Sequence, residues 1–228
     1  MKNLWKTLYE LRRTAATRTL AATAATLLTI GAASAESRAT QQRIAELDDL
    51  DFIEMLNSVD LGKQSEFIQK FQLKEGRERL LKGKYKSDGC TVENYRNKEV
   101  LLITVPASLL FGPNETELSP EAAEYLRPLR RYLKDPDMYR VLLVMHTDNT
   151  GSEAYRDLLT QERVDAIFNY FEEHGMDTRY LFSYAMGDDM PLRPNDSMDN
   201  RASNRRLEIY LMPGKKMLEQ AKKGRIAF

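Results

Sequence analysis

The sequence predicts an α/β fold of the α+β sandwich kind. A β-α-β-α-β-β series forms a mixed sheet with helices packed on one face, preceded by a helical N-terminal segment. Three observations carry this. Val100–Val105 (VLLITV) and Tyr139–Met145 (YRVLLVM) are short apolar runs with branched residues, as buried strands require. Apolar residues recur at helical spacing after each run, first Ala122, Leu126, Leu129 and Leu133, then Val164, Ile167, Phe168 and Phe171. Arg206–Met212 (RLEIYLM) alternates, placing Leu207, Ile209 and Leu211 on one face of a last strand.

At 228 residues the chain holds one good domain plus appendages. Lys and Arg number 34 against 34 Asp and Glu, so composition excludes a basic nucleic-acid-binding surface as the organising feature. The balance is uneven, since residues 1–35 carry five basic residues (Lys2, Lys6, Arg12, Arg13, Arg18) against Glu10. That basic opening runs into Thr19–Ala32, an apolar stretch of Ala, Thr, Leu and Ile, and then into Ala33-Ser34-Ala35. The order is that of a signal peptide over 1–35, cleaved before Glu36. The apolar stretch falls short of the roughly 20 residues a spanning helix needs. Cys90 stands alone, which rules out an internal disulfide, and with only two histidines no His/Cys metal site can form. No metal, cofactor or catalytic residue is expected.

Residues 36–97 read as a helical spacer or packing segment. Ile44, Leu47, Phe52, Met55, Leu56 and Val59 give one apolar stripe; Phe67, Ile68, Phe71, Leu73, Leu80 and Leu81 give a second. Gly83–Gly89 is a polar turn. The domain proper spans 98–212. After its first strand comes a loop over Phe111–Leu118, then Ser119-Pro120-Glu121 as a helix start with serine as cap. Asp135-Pro136 ends that helix. The second helix is expected to begin with Thr160 as cap and to end at His174-Gly175. Arg179–Ala185 is the third strand, Gly187–Asn200 a long polar loop, and 213–228 a basic helical tail with a solvated face. The second face of the sheet needs cover, which 36–97 or the tail could provide.

The stretch that organises the chemistry is Val144–Val164 (VMHTDNTGSEAYRDLLTQERV). A strand ends at His146-Thr147-Asp148, a polar turn follows through Asn149, Thr150, Gly151 and Ser152, and Arg163 is expected in the first turn of the next helix. Polar groups past the carboxyl end of a strand and beside a helix N-terminus are where open α/β sheets bind ligands. The plainer alternatives are that Asp148 caps its own turn and that Arg163 pairs at the surface with Glu162 or Asp165. His146 reads as structural, since no nucleophile accompanies it.

Four motifs in this order, His146–Ser152 (HTDNTGS), Leu159-Thr160-x-x-Arg163, Gly187-x-x-x-Pro191 and Asn204–Ile209 (NRRLEI), resemble the OmpA-type C-terminal peptidoglycan-binding domain over roughly 100–212. Phe111 and Leu118 fit that family's first strand and loop. The resemblance implies non-covalent binding of peptidoglycan by a non-enzymatic, periplasmic, outer-membrane-associated protein that tethers the envelope to the wall. It implies that Asp148 and Arg163 grip the diaminopimelate of the stem peptide. Thr147 is a further candidate contact, as are Asn149 and Thr150 in the turn and Arg205 on the neighbouring strand. Gly112 stands where the family usually has Asp, and Arg156 where it usually has Asn, both at pocket positions. Residues 36–97 are the candidate dock for outer-membrane or other envelope proteins. The rival reading is a stator-like wall-anchoring subunit with an uncleaved N-terminal anchor. Residues 19–35 contain no Asp or Glu, which counts against it.

Overall fold

The computed structural model describes residues 63–82 and 84–228, all within one of the chain's two compact units, Asp60–Phe228. The signal peptide over 1–35 and the apolar stripe from Ile44 to Val59 lie outside the described residues. Five strands form one mixed sheet: β1 (Thr91–Tyr95), β2 (Val100–Pro106), β3 (Tyr139–His146), β4 (Leu181–Ala185) and β5 (Arg206–Pro213), in the spatial order β1-β2-β5-β3-β4. Only β3 and β4 run parallel, joined by the crossover helix α5 (Glu153–Glu173); the other neighbours are antiparallel. The remaining helices are α1 (Lys63–Lys74), continued by a wider turn over Glu75–Leu80, then the short α2 (Lys84–Ser87), α3 (Ala122–Leu126), α4 (Arg130–Leu133), α6 (Met198–Asn204) and α7 (Lys215–Lys222).

Register explains why the apolar runs are strands. Ile103, Ile209 and Leu143 stand opposite one another across β2, β5 and β3, and all are fully buried. Onto this face pack Leu126 from α3, Leu129 from the 3-10 turn after it, Leu133 from α4, and Val164, Ile167 and Phe171 from α5. Each such side chain contributes about 1.5–3 kcal/mol of apolar burial. The turn after α1 lies on the same face, where a Cβ on Gly76 would come within 2.9 Å of Leu101. The opposite face carries buried Arg140, His146, Arg206, Glu208 and Tyr210. There Glu208 accepts from Arg206 Nε at 2.8 Å and from the Tyr210 hydroxyl at 2.6 Å.

Residues 63–80 and the tail pack on this same helix-bearing face, not on the second face they were expected to cover. Gln72, fully buried, donates to the carbonyls of Glu99 (2.8 Å) and Leu211 (3.2 Å) and accepts from the Tyr139 hydroxyl (3.1 Å). α7 packs on α1 through Met217, Leu218 and Ala221 while Lys215, Lys216, Lys222 and Lys223 face solvent.

Four further expectations need correction. Helix α5 begins at Glu153, not near Thr160: Ser152 is its N-cap and accepts from the Tyr155 amide at 3.2 Å. Thr160 is internal, its hydroxyl donating back to the Arg156 (2.9 Å) or Asp157 (3.1 Å) carbonyl and accepting from the Gly187 amide (3.1 Å). Thr91–Tyr95, within the segment read as helical or linker, is an edge strand paired with β2. Ser119 caps nothing with its side chain; the Ala122 amide donates to its carbonyl at 3.0 Å, and α3 starts at Ala122, two residues later than expected. The loop after Gly187 ends in a helix, α6, capped by Ser197.

Candidate functional site

Asp148 sits two residues beyond the end of β3, where the sheet's C-terminal edge opens. Its turn is built locally. One carboxylate oxygen accepts from the Thr150 amide at 2.8 Å, the side-chain-to-backbone turn that short aspartates favour. Gly151 follows with φ +86°, and a Cβ there would come within 2.8 Å of the Tyr155 ring. The Thr147 amide donates to the Gly187 carbonyl at 2.8 Å, tying the strand end to the loop after β4. The second carboxylate oxygen of Asp148 is paired with Arg205 Nη1, reaching over from the start of β5. Burial works to raise the Asp148 carboxyl, but the hydrogen bonds from Thr150 and Arg205 outweigh it and hold it below its ordinary value.

Arg163 lies in the third turn of α5 rather than the first, so the free amides of that helix start are not beside it. This corrects the expected contribution of the helix N-terminus. Arg163 is 4 % exposed, and its guanidinium lies 4.9 Å over the Phe111 ring. Nε donates to the Glu115 carbonyl at 2.7 Å and Nη2 to the Gly112 carbonyl at 3.1 Å, which pins the turn between them. Two of its five N–H donors are used in this way. Burial, with Arg205 nearby, lowers the Arg163 pKa, although Tyr155 and Glu115 oppose the shift.

Asp148 and Arg163 line one cleft of about 410 Å³. Thr147, Thr150 and Arg205 share its lining, whereas Asn149 is exposed and outside it. The apolar floor comes from Ala107, Phe111 and Leu159, and Tyr155 and Asn114 stand at the rim, bridged by a 3.1 Å hydrogen bond. Tyr155, Leu159 and Arg163 fall at i, i+4 and i+8 on one face of α5, a pattern visible only once the helix is started at Ser152. The Asp148–Arg205 pairing had no local signal, since 57 residues separate the partners.

Both departures from the family pattern resolve locally. A Cβ at Gly112 would run into the Glu115 carboxylate, so that side chain takes the space a larger residue would need. Arg156 is outside the cleft lining, bonded to Asp188 at 2.7 Å and to the Gly151 carbonyl. His146 is buried beside Glu208 (3.7 Å) and Arg206; burial and then Arg206 push its pKa down and keep it neutral. Among the described residues no cluster of His, Cys, Asp and Glu could hold a metal ion, and no helix is long and apolar enough to cross a membrane.

Comparison with known proteins places this arrangement. The OmpA family model matches residues 110–205. The outer-membrane lipoprotein YfiB of Pseudomonas aeruginosa is 32% identical over 105 residues, 46% of this chain and 62% of that protein. The peptidoglycan-binding protein ArfA of Mycobacterium tuberculosis is 31% identical over 103 residues, 45% of this chain and 32% of that protein. The chain thus spans less than two thirds of the curated relatives it matches. Among solved structures, a putative MotB like protein from Desulfovibrio vulgaris superposes with a TM-score of 0.56 at 25% identity, covering 66% of this chain and 98% of that one. The segment that holds the strand-end aspartate, the buried arginine and the loop after β4 is thus the one that is similar to the OmpA family, over residues 110–205.

Proposed function

We propose that this chain binds peptidoglycan non-covalently through the diaminopimelate of the stem peptide and so tethers the cell envelope to the wall. One observation carries the reading: a carboxylate and a guanidinium, Asp148 and Arg163, border the same apolar-floored cleft. The free end of meso-diaminopimelate presents an ammonium and a carboxylate on one carbon. Asp148 receives the first, and the unused donors of Arg163 receive the second with a planar fork that lysine cannot reproduce. Thr147, Thr150 and Arg205 complete the contacts, and the floor of Ala107, Phe111 and Leu159 accepts the methylene chain. Each charged hydrogen bond contributes on the order of 1.5–3 kcal/mol, which suits reversible attachment in the micromolar range. The similarity to a peptidoglycan-binding protein supports the same ligand. Binding is the whole activity, exercised on the periplasmic side, with residues 36–97 as the dock for a further envelope protein.

Co-sedimentation with purified sacculi tests this. Wild-type protein pellets with the wall; Arg163→Ala loses at least about tenfold in affinity and Asp148→Ala a smaller, measurable share, both keeping their circular dichroism. Equal pull-down of all three removes the site. Release of soluble muropeptides would instead mark an enzyme. The stator-like reading draws support from the likeness to the MotB like structure. N-terminal sequencing decides it, since a mature chain starting at Glu36 has no anchor.

A further inference from the structure

We propose that this site demands the free carboxylate of the diamino acid far more than its ammonium. On this reading cross-linked stem peptides, whose distal amine is acylated, bind nearly as well as uncross-linked ones, and stems amidated at that carboxylate are refused. The inference rests on the wall-binding reading above and ranks the two charges within it.

The ranking comes from Arg205. Both oxygens of Asp148 already have partners, the Thr150 amide on one and Arg205 Nη1 on the other. A ligand ammonium therefore meets a carboxylate whose charge is already balanced, and it must share Asp148 with a cation that never leaves the protein. Its attraction to Asp148 is offset by repulsion from Arg205. A ligand carboxylate meets the reverse situation. The cleft is lined by one carboxylate, Asp148, and two guanidiniums, Arg163 and Arg205, a surplus of one positive charge. A further anion, Glu115, packs its carboxylate against Gly112 and partly offsets the charge on Arg163, but it is not part of the lining.

Exposure sharpens the point. The Asp148 side chain is 4 % exposed while that of Arg205 is 42 % exposed, so the cation at the mouth is what an entering group meets first. Arg163 lies deeper, with donors left after its two carbonyl bonds. A carboxylate seated between the two guanidiniums satisfies both and relieves the repulsion each feels from the other, which already contributes to lowering the Arg163 pKa. Replacing that carboxylate with a carboxamide brings N–H donors up to N–H donors, and the mismatch gives discrimination.

The test is calorimetric titration of the full chain with three probes: the tripeptide L-Ala-γ-D-Glu-meso-diaminopimelate, the same peptide acetylated on its distal amine, and the same peptide amidated on its distal carboxylate. Acetylation is expected to weaken binding by no more than about threefold, and amidation by about 10- to 100-fold. In Arg205→Gln the order reverses: Asp148 is released, so acetylation becomes the costlier change and amidation costs less than in the wild type. A wild-type protein hurt more by acetylation than by amidation overturns this inference and leaves wall binding standing. So does an Arg205→Gln variant with both ratios unchanged. Failure of the unmodified tripeptide to bind overturns the wall-binding reading and this inference with it.

Discussion

Asp148 and His146 are two positions apart in sequence and respond to pH in ways that can be separated. Asp148 titrates below its ordinary value of 3.8, because hydrogen bonds from Thr150 and Arg205 overcome the burial that would raise it. A carboxyl with a depressed folded pKa contributes fully above its unfolded pKa, and that contribution is lost as pH falls through the folded value. His146 is also depressed, from 6.5, by burial and by Arg206. The unfolded chain takes up that proton as pH falls below about 6.5 and the folded chain does not, so stability falls with pH through this range. Unfolding midpoints in urea should therefore drop between pH 7.5 and pH 5, while pull-down by sacculi stays constant over the same range and fails only at the acid end of carboxylate titration. A binding curve that follows the stability curve would make His146, not Asp148, the controlling group. The His146-Thr147-Asp148 placement was legible because an unbroken apolar run leads into it. The pairing of Asp148 with Arg205 was not, because nothing near either residue marks a contact made by the sheet's register.

Helix α5 shows what local pattern can and cannot supply. Its second half announces itself through Val164, Ile167 and Phe171, all fully buried. Its first half, Glu153 to Leu158, has an exposed Leu158 and a half-exposed Tyr155 and offers no core stripe to read. Thr160, able to cap, took the place of the real cap, Ser152, eight residues earlier. The decisive cue was the glycine-serine step, since Gly151 supplies the positive φ and Ser152 accepts from the Tyr155 amide. Ser152→Ala is expected to cost about 0.5–2 kcal/mol of stability, the usual loss for an N-cap oxygen, measured by urea unfolding. Thr160→Ala is not a cap deletion and loses only back-bonds within the helix and one bond to Gly187. Strand β1 escaped for a related reason. Thr91–Tyr95 is an edge strand with three of its five residues exposed, so it carries neither a hydrophobic run nor clean alternation.

On the scale of the whole molecule the sheet separates holding from binding. The cleft gathers at one end of the strands, after β3 and before β5, where His146 faces Arg206. At the other end, where Leu101 faces Leu211 and Tyr139 faces Pro213, α1 is fastened by Gln72 to the segments that begin β2 and end β5. The Tyr132 and Tyr139 rings meet edge to face there, 4.9 Å apart. The two ends share a rigid sheet but no side chain. Gln72→Ala removes two hydrogen bonds to backbone carbonyls and the acceptor for the Tyr139 hydroxyl in a fully buried site, at an expected cost of about 1–3 kcal/mol. The cleft should be untouched, so sacculus affinity at 25 °C stays at the wild-type value while the thermal midpoint falls. Asp148→Ala should do the opposite, losing affinity with a smaller change in midpoint. Thermal melts and sacculus pull-down on the two variants side by side check the separation. A Gln72→Ala protein that melts early and also binds weakly would mean that α1 shapes the cleft through the sheet, coupling two ends that the hydrogen-bond pattern keeps apart.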